Sequence, residues 1–176
     1  MNSTTSITQN SRADFWINGM IAVGSTMFVI GLVISAAFAP EWRVLHVFQA
    51  LIYIAVVLLT RRKHAAGFGA GLAVAVFWNV LFIGKAGHDI VQELGALART
   101  WQPHRPDLLL SLFAACGHML IIIACVVGAF RMRPVARQWA QWAAGGVFSL
   151  AYLFAIVFTF GPPEGIALMK HVLGLK

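Results

Sequence analysis

His118 is an ionisable side chain near the middle of a long apolar run. It lies within 107–130, DLLLSLFAACGHMLIIIACVVGAF, which carries no charge after its opening Asp107. An ionisable group is costly in hydrocarbon, so one that persists faces protein or a water-filled space and is a functional candidate. There an imidazole could relay a proton, contact a quinone or bind a ligand. The alternative is a neutral ring hydrogen-bonded to Asn79, Tyr152 or a backbone carbonyl, serving only to hold helices together. Ser111, Ala115, His118, Ile122 and Cys125 follow the alternating 4-3 spacing of one helix face. The candidate intramembrane polar face is therefore Asn79, Ser111, His118 and Tyr152.

The other histidines suggest different chemistry. A b-type haem needs two imidazoles at similar depth on different helices, with small residues making room for the macrocycle. His46 and His88, with Gly84 and Gly87 nearby, are the candidates, and His118 lies deeper. Haem b or a quinone is thus the cofactor to look for, at His46, His88 and His118. Imidazoles and carboxylates share the same end of the chain's helices (His46, His88, His104, His171, Asp89, Glu93, Asp107, Glu164), but no HxxxH or HExxH places them as a metal set. Solvated or headgroup-facing side chains are the favoured explanation for them. Ser111 and His118 are two turns apart, with Asp107 at the span's end, so no Ser-His-Asp set forms. Gly67-Phe68-Gly69-Ala70-Gly71 lacks the Lys-Ser/Thr of a phosphate loop. Cys116 and Cys125 share one helix about 13 Å apart, too far to bridge. No catalytic residue is assigned.

These side chains need elements that cross a bilayer. About 20 apolar residues rising 1.5 Å each span its hydrocarbon core. The chain is 60% hydrophobic and only 11% charged, and a soluble domain carries about 25% charge. Five runs are long enough: 15–39, 44–60, 65–84, 107–130 and 138–160. Pro40-Glu41-Trp42-Arg43 makes the first two antiparallel neighbours. Gly67, Gly71 and Ala75 recur every four residues ahead of Asn79, the small-residue stripe that lets helices approach closely, within the chain or with another subunit. In 88–101, Ile90, Leu94, Leu97 and Trp101 fall on one face opposite Asp89, Gln92 and Glu93, which predicts an amphipathic helix on the membrane surface. Pro103 and Pro106 break it before the fourth span. Residues 1–14 read as a disordered cytoplasmic tail, and 166–175 as a short interfacial helix. Ala37-Phe38-Ala39 resembles a signal-peptidase site, but the preceding apolar run is too long and Pro40 would follow the cut.

The net charge of +7 fits the positive-inside rule better than nucleic-acid binding, so no nucleic acid is expected as a partner. The tail with Arg12, the Arg61-Arg62-Lys63 turn and the Arg131–Arg137 loop carry the basic clusters directly against span ends, with Asp14 the acid among them. That side is predicted to be cytoplasmic, giving N-terminus in and C-terminus periplasmic, in a bacterial inner membrane.

The expected fold is an all-α integral membrane bundle of five transmembrane helices, with a surface helix between spans three and four, in one domain over 15–176. The form resembles accessory or anchor subunits of larger membrane complexes, acting through helix–helix contacts with a partner or a second copy. A redox anchor binding haem or quinone is the first alternative. The second is a small-solute transporter or channel with its pathway along His118, Asn79 and Tyr152.

Overall fold

The computed structural model describes residues 3–131 and 135–175; the side chains of residues 3–12 and Lys85 lie outside the described set. Six α-helices follow one another: α1 Ser3–Phe38, α2 Arg43–Arg61, α3 Ala65–Thr100, α4 Pro106–Arg131, α5 Ala136–Phe160 and α6 Pro163–Val172. No strand occurs among the described residues. Five segments are long and apolar enough to cross a membrane: Ala13–Phe38, Pro40–Arg61, Ala65–Gly84, Pro106–Arg131 and Ala136–Phe160. The protein is a multi-pass α-helical membrane protein.

Local chemistry sets the turns. Pro40 opens a short 3-10 turn after α1, and Arg43 Nε donates to the Ala36 carbonyl at 2.8 Å, satisfying an end of α1 that has no helical partner. The α2–α3 turn carries Lys63 in the left-handed region (φ 55°), and its Nζ lies 2.6 Å from Asp14 Oδ2 on α1. That ion pair puts the start of the first span beside the end of the second. Exposed pairs of this kind add about 0–1 kcal/mol, so it marks register more than it supplies stability.

The structure corrects one sequence expectation. The 88–101 segment is helical but not a separate surface helix: α3 runs unbroken from Ala65 to Thr100. Between 84 and 88 there is no proline, and Gly84 and Gly87 do not take the left-handed conformation that ends a helix, so they weaken it without breaking it. At 1.5 Å per residue α3 is about 54 Å long, against a hydrocarbon core of about 30 Å. Residues 1–14 are expected as a tail. α1 is continued back to Ser3, while the side chains of the supposed tail, up to residue 12, lie outside the described residues.

Helix α4 packs on both α1 and α3, and α5 packs on α3. Neighbours in the bundle are therefore not simply neighbours in sequence. Backbones touch at two crossings. A Cβ on Gly117 would fall 2.7 Å from the Gly24 carbonyl oxygen, so α4 meets α1 where both lack side chains. Likewise a Cβ on Gly69 or Gly145 would overlap the backbone of Trp142 or Ala66, which brings α3 against α5. Gly67 and Gly71 turn elsewhere, the first to Leu59 and Thr60 of α2, the second to Val56 of α2 and Cys125 of α4. Ala75 is fully buried. The Gly67/Gly71/Ala75 stripe thus packs inside the chain. Because lipid is as apolar as leucine, such close approach and the dispersion it allows replace the hydrophobic effect as the cohesive force.

Candidate functional site

His118 sits on α4, one residue past the tight Gly117 crossing, and is 2% exposed. Its Nε2 lies 2.7 Å from Tyr53 Oη on α2. Tyr53 is also 2% exposed. With His118 the sole hydrogen-bond partner of the phenol among the described residues, the arrangement that gives the phenol proton an acceptor has Tyr53 donating to Nε2, which puts the imidazole's own proton on Nδ1. Phe28 of α1 covers both rings, its centroid 4.3 Å from that of His118 and 4.5 Å from that of Tyr53. Trp78 of α3 stands 6.5 Å beyond Phe28. Four helices therefore meet in one aromatic cluster with a single polar bond at its centre.

The sequence offered Asn79 and Tyr152 as partners of His118; the structure supplies Tyr53 instead. Depth arithmetic points the same way. Tyr53 stands ten residues into α2 and His118 twelve into α4. Both helices start from the same side, so the two lie about 15 and 18 Å deep. Tyr152 is used elsewhere, donating to the Phe48 carbonyl at 3.2 Å and joining α5 to α2.

A cavity of about 1020 Å³ reaches His118 from the helix ends. α1 lines it from Phe28 to Phe38, α3 from Trp78 to Ala86, and α4 from Pro106 to His118, together with Ala39, Trp42 and Leu168. Its walls are mainly apolar. Of the expected polar face, Asn79, Ser111 and His118 all line it, and Tyr152 does not. Ser111 Oγ is already committed to the Asp107 carbonyl at 2.9 Å. Asn79 is different: it is 6% exposed, and its Oδ1 has no partner among the described residues. Trp78 Nε1 is likewise buried and without a partner.

Neither His46 nor His88 lines this cavity. His46 stacks on Trp42 with centroids 6.0 Å apart, and exposed His88 lies 2.9 Å from Gln92 Nε2 within α3. His118 has Nε2 engaged by Tyr53. The three are thus not presented as a haem-ligand set. Among the described residues no group of three or more His, Cys, Asp or Glu is arranged to hold a metal ion.

Glu93 was a solvent-facing residue by pattern. The structure buries it to 5% exposure. Its Oε1 accepts from the backbone N–H groups of His104 and Arg105, at 2.7 and 2.9 Å. The carboxylate so pins the chain that returns from α3 to the start of α4, next to the cavity's rim. Arg105 in turn forms a two-point pair with Asp107, at 3.0 and 2.7 Å, which holds its guanidinium pKa above the usual value. The sequence signal was available, since Glu93 lies three residues from Ile90 and four from Leu97, on the flank of the apolar face.

Comparison with protein-family models, curated proteins and solved structures finds no match to this chain. Function has to be argued from the cavity and the residues that line it.

Proposed function

We propose that this protein binds a lipid-soluble small molecule in the cavity between α1, α3 and α4. One observation carries the proposal: a largely apolar space of about 1020 Å³ is lined at its inner end by buried Asn79 and by His118, whose Nε2 is bonded to Tyr53. Ligand sites have this make-up, with apolar walls for affinity and few polar groups for orientation, and volumes of about 300–1,000 Å³. Of the roles the sequence allows, a quinone-contacting anchor fits this chemistry better than a haem anchor, because His46 and His88 stand away from the space. Among the described residues that line the space, Asp107 is the one charged side chain, and Arg105 neutralises it, so the ligand is expected to be uncharged. The proposal takes the inner membrane as the location, with the Lys63 side cytoplasmic, on the strength of the basic clusters at the span ends.

Mass spectrometry of lipophiles retained by the purified full-length protein tests this. Wild type should enrich a lipophile over the bulk extract, and Ala115→Trp, which fills the cavity, should lose it while staying folded. Identical lipophile profiles for the two proteins would sink the proposal. Copurification of a larger membrane protein with no retained lipophile would return the accessory-subunit role to the lead.

A further inference from the structure

At the other end of the bundle from the lipophile cavity, we infer a second binding site, for the phosphate of an acidic phospholipid headgroup. A separate cavity of about 270 Å³ lies there. It is lined by Asp14 at the start of the first span, Lys63 in the α2–α3 turn and Arg131, the last residue of α4. Segments far apart in sequence thus bring two cations and one carboxylate to one hollow. The remaining wall is apolar or already satisfied. Ile17 and Phe68 are buried, and Phe68 lies so close over Gly128 that a Cβ there would overlap its ring. The Thr60 hydroxyl donates to the Val56 carbonyl at 2.8 Å.

The cations set the chemistry. Lys63 Nζ has three N–H groups and gives one to Asp14. The Arg131 guanidinium has five. Both side chains are exposed, and neither can accept a hydrogen bond. Such walls call for an anion rich in acceptor oxygens, which a phosphate is. The three charged side chains leave the hollow at +1, a charge that a phosphate diester balances. Depth favours a lipid as its source. Asp14 follows Ala13, the first residue of one span; Arg131 ends another; Lys63 falls between the spans that end at Arg61 and begin at Ala65. That is the level of the headgroups, and basic pockets between transmembrane helices at this level bind acidic ones. The apolar wall gives the first carbons of the lipid a surface to lie on. In a choline headgroup a quaternary ammonium accompanies the phosphate and would be brought up to the same cations, so an acidic headgroup is preferred.

The test exposes the full-length protein, in a neutral detergent, to an equimolar mixture of dioleoyl phosphatidylglycerol and dioleoyl phosphatidylcholine, and reads the retained lipid by native mass spectrometry. One basic residue near an acidic headgroup is worth about fivefold. With a net charge of one, wild type should prefer phosphatidylglycerol by about fivefold or more, and Lys63→Gln or Arg131→Gln should bring the ratio near unity. Asp14→Asn, which releases Lys63 Nζ, should raise it. Arg62→Gln removes the same charge from the same turn but does not touch the cavity, and should leave the ratio within about twofold. Equal losses in the Arg62, Lys63 and Arg131 variants would overturn the site and leave a general basic surface. A wild type without preference would overturn it as well. If Lys63→Gln does not fold, Arg131→Gln against Arg62→Gln decides. Melting temperatures distinguish the sources: inorganic phosphate that stabilises as much as phosphatidylglycerol, through the same two cations, overturns the lipid assignment.

Discussion

Tyr53 and His118 are 65 positions apart in the chain, yet Oη and Nε2 lie 2.7 Å from each other in the middle of the bundle. The bond ties α2 to α4, helices that otherwise meet mainly through shared neighbours α1 and α3. Phe28 packs on both rings.

This bond should register as coupling. In a double-mutant cycle of Tyr53→Phe and His118→Phe, denaturation of the detergent-solubilised protein should give an interaction energy of about 0.6–1.7 kcal/mol, the range for interhelical hydrogen bonds in membranes. A coupling near zero would mean that the two rings merely pack.

Two glycines of α1 should respond oppositely to one added methyl group. A Cβ at Gly24 would overlap the Gly117 backbone, whereas one at Gly19 meets nothing within 4 Å. Gly24→Ala is expected to destabilise by about 1–3 kcal/mol through overpacking. Gly19→Ala should stabilise by about 0.5–1 kcal/mol through helix propensity. Thermal unfolding of the two variants checks the α1–α4 crossing, and equal effects would contradict it.

The continuity of α3 is open to the same kind of test. A Cβ at Gly84 has nothing within 4 Å. Gly84→Ala should therefore raise stability by about 0.5–1 kcal/mol. Gly84→Pro should lower it by about 3 kcal/mol, since proline removes a helical N–H and clashes with the preceding turn. A proline tolerated at 84, read by helicity and melting temperature, would restore the separate surface helix.

Glu93 makes a local prediction. Hydrogen bonds to a charged group contribute about 1.5–3 kcal/mol, so Glu93→Ala should speed amide exchange at His104 and Arg105 by about tenfold or more. Glu93→Gln, which keeps an acceptor oxygen, should lose less. Unchanged protection of those two amides in Glu93→Ala would show that the turn holds itself.

The sequence alone determined the class and the span count. Hydrocarbon tolerates neither charge nor unpaired backbone, so long uncharged apolar runs have one solution, the transmembrane helix, and their number can be read along the chain. It also marked His118, Asn79 and Ser111, because polar groups within such runs are few enough to stand out. Tertiary structure decided what those groups face. Each helix has several faces, and which of them meet depends on contacts such as Gly24 with Gly117, whose partner no local pattern names. Hence Tyr53 rather than Tyr152 reaches His118, Asn79 borders a cavity instead of bonding to the imidazole, and Glu93 turns inward. The continuity of α3 was a tertiary matter too: amphipathic periodicity gives the face of a helix but not whether it breaks from the helix before it.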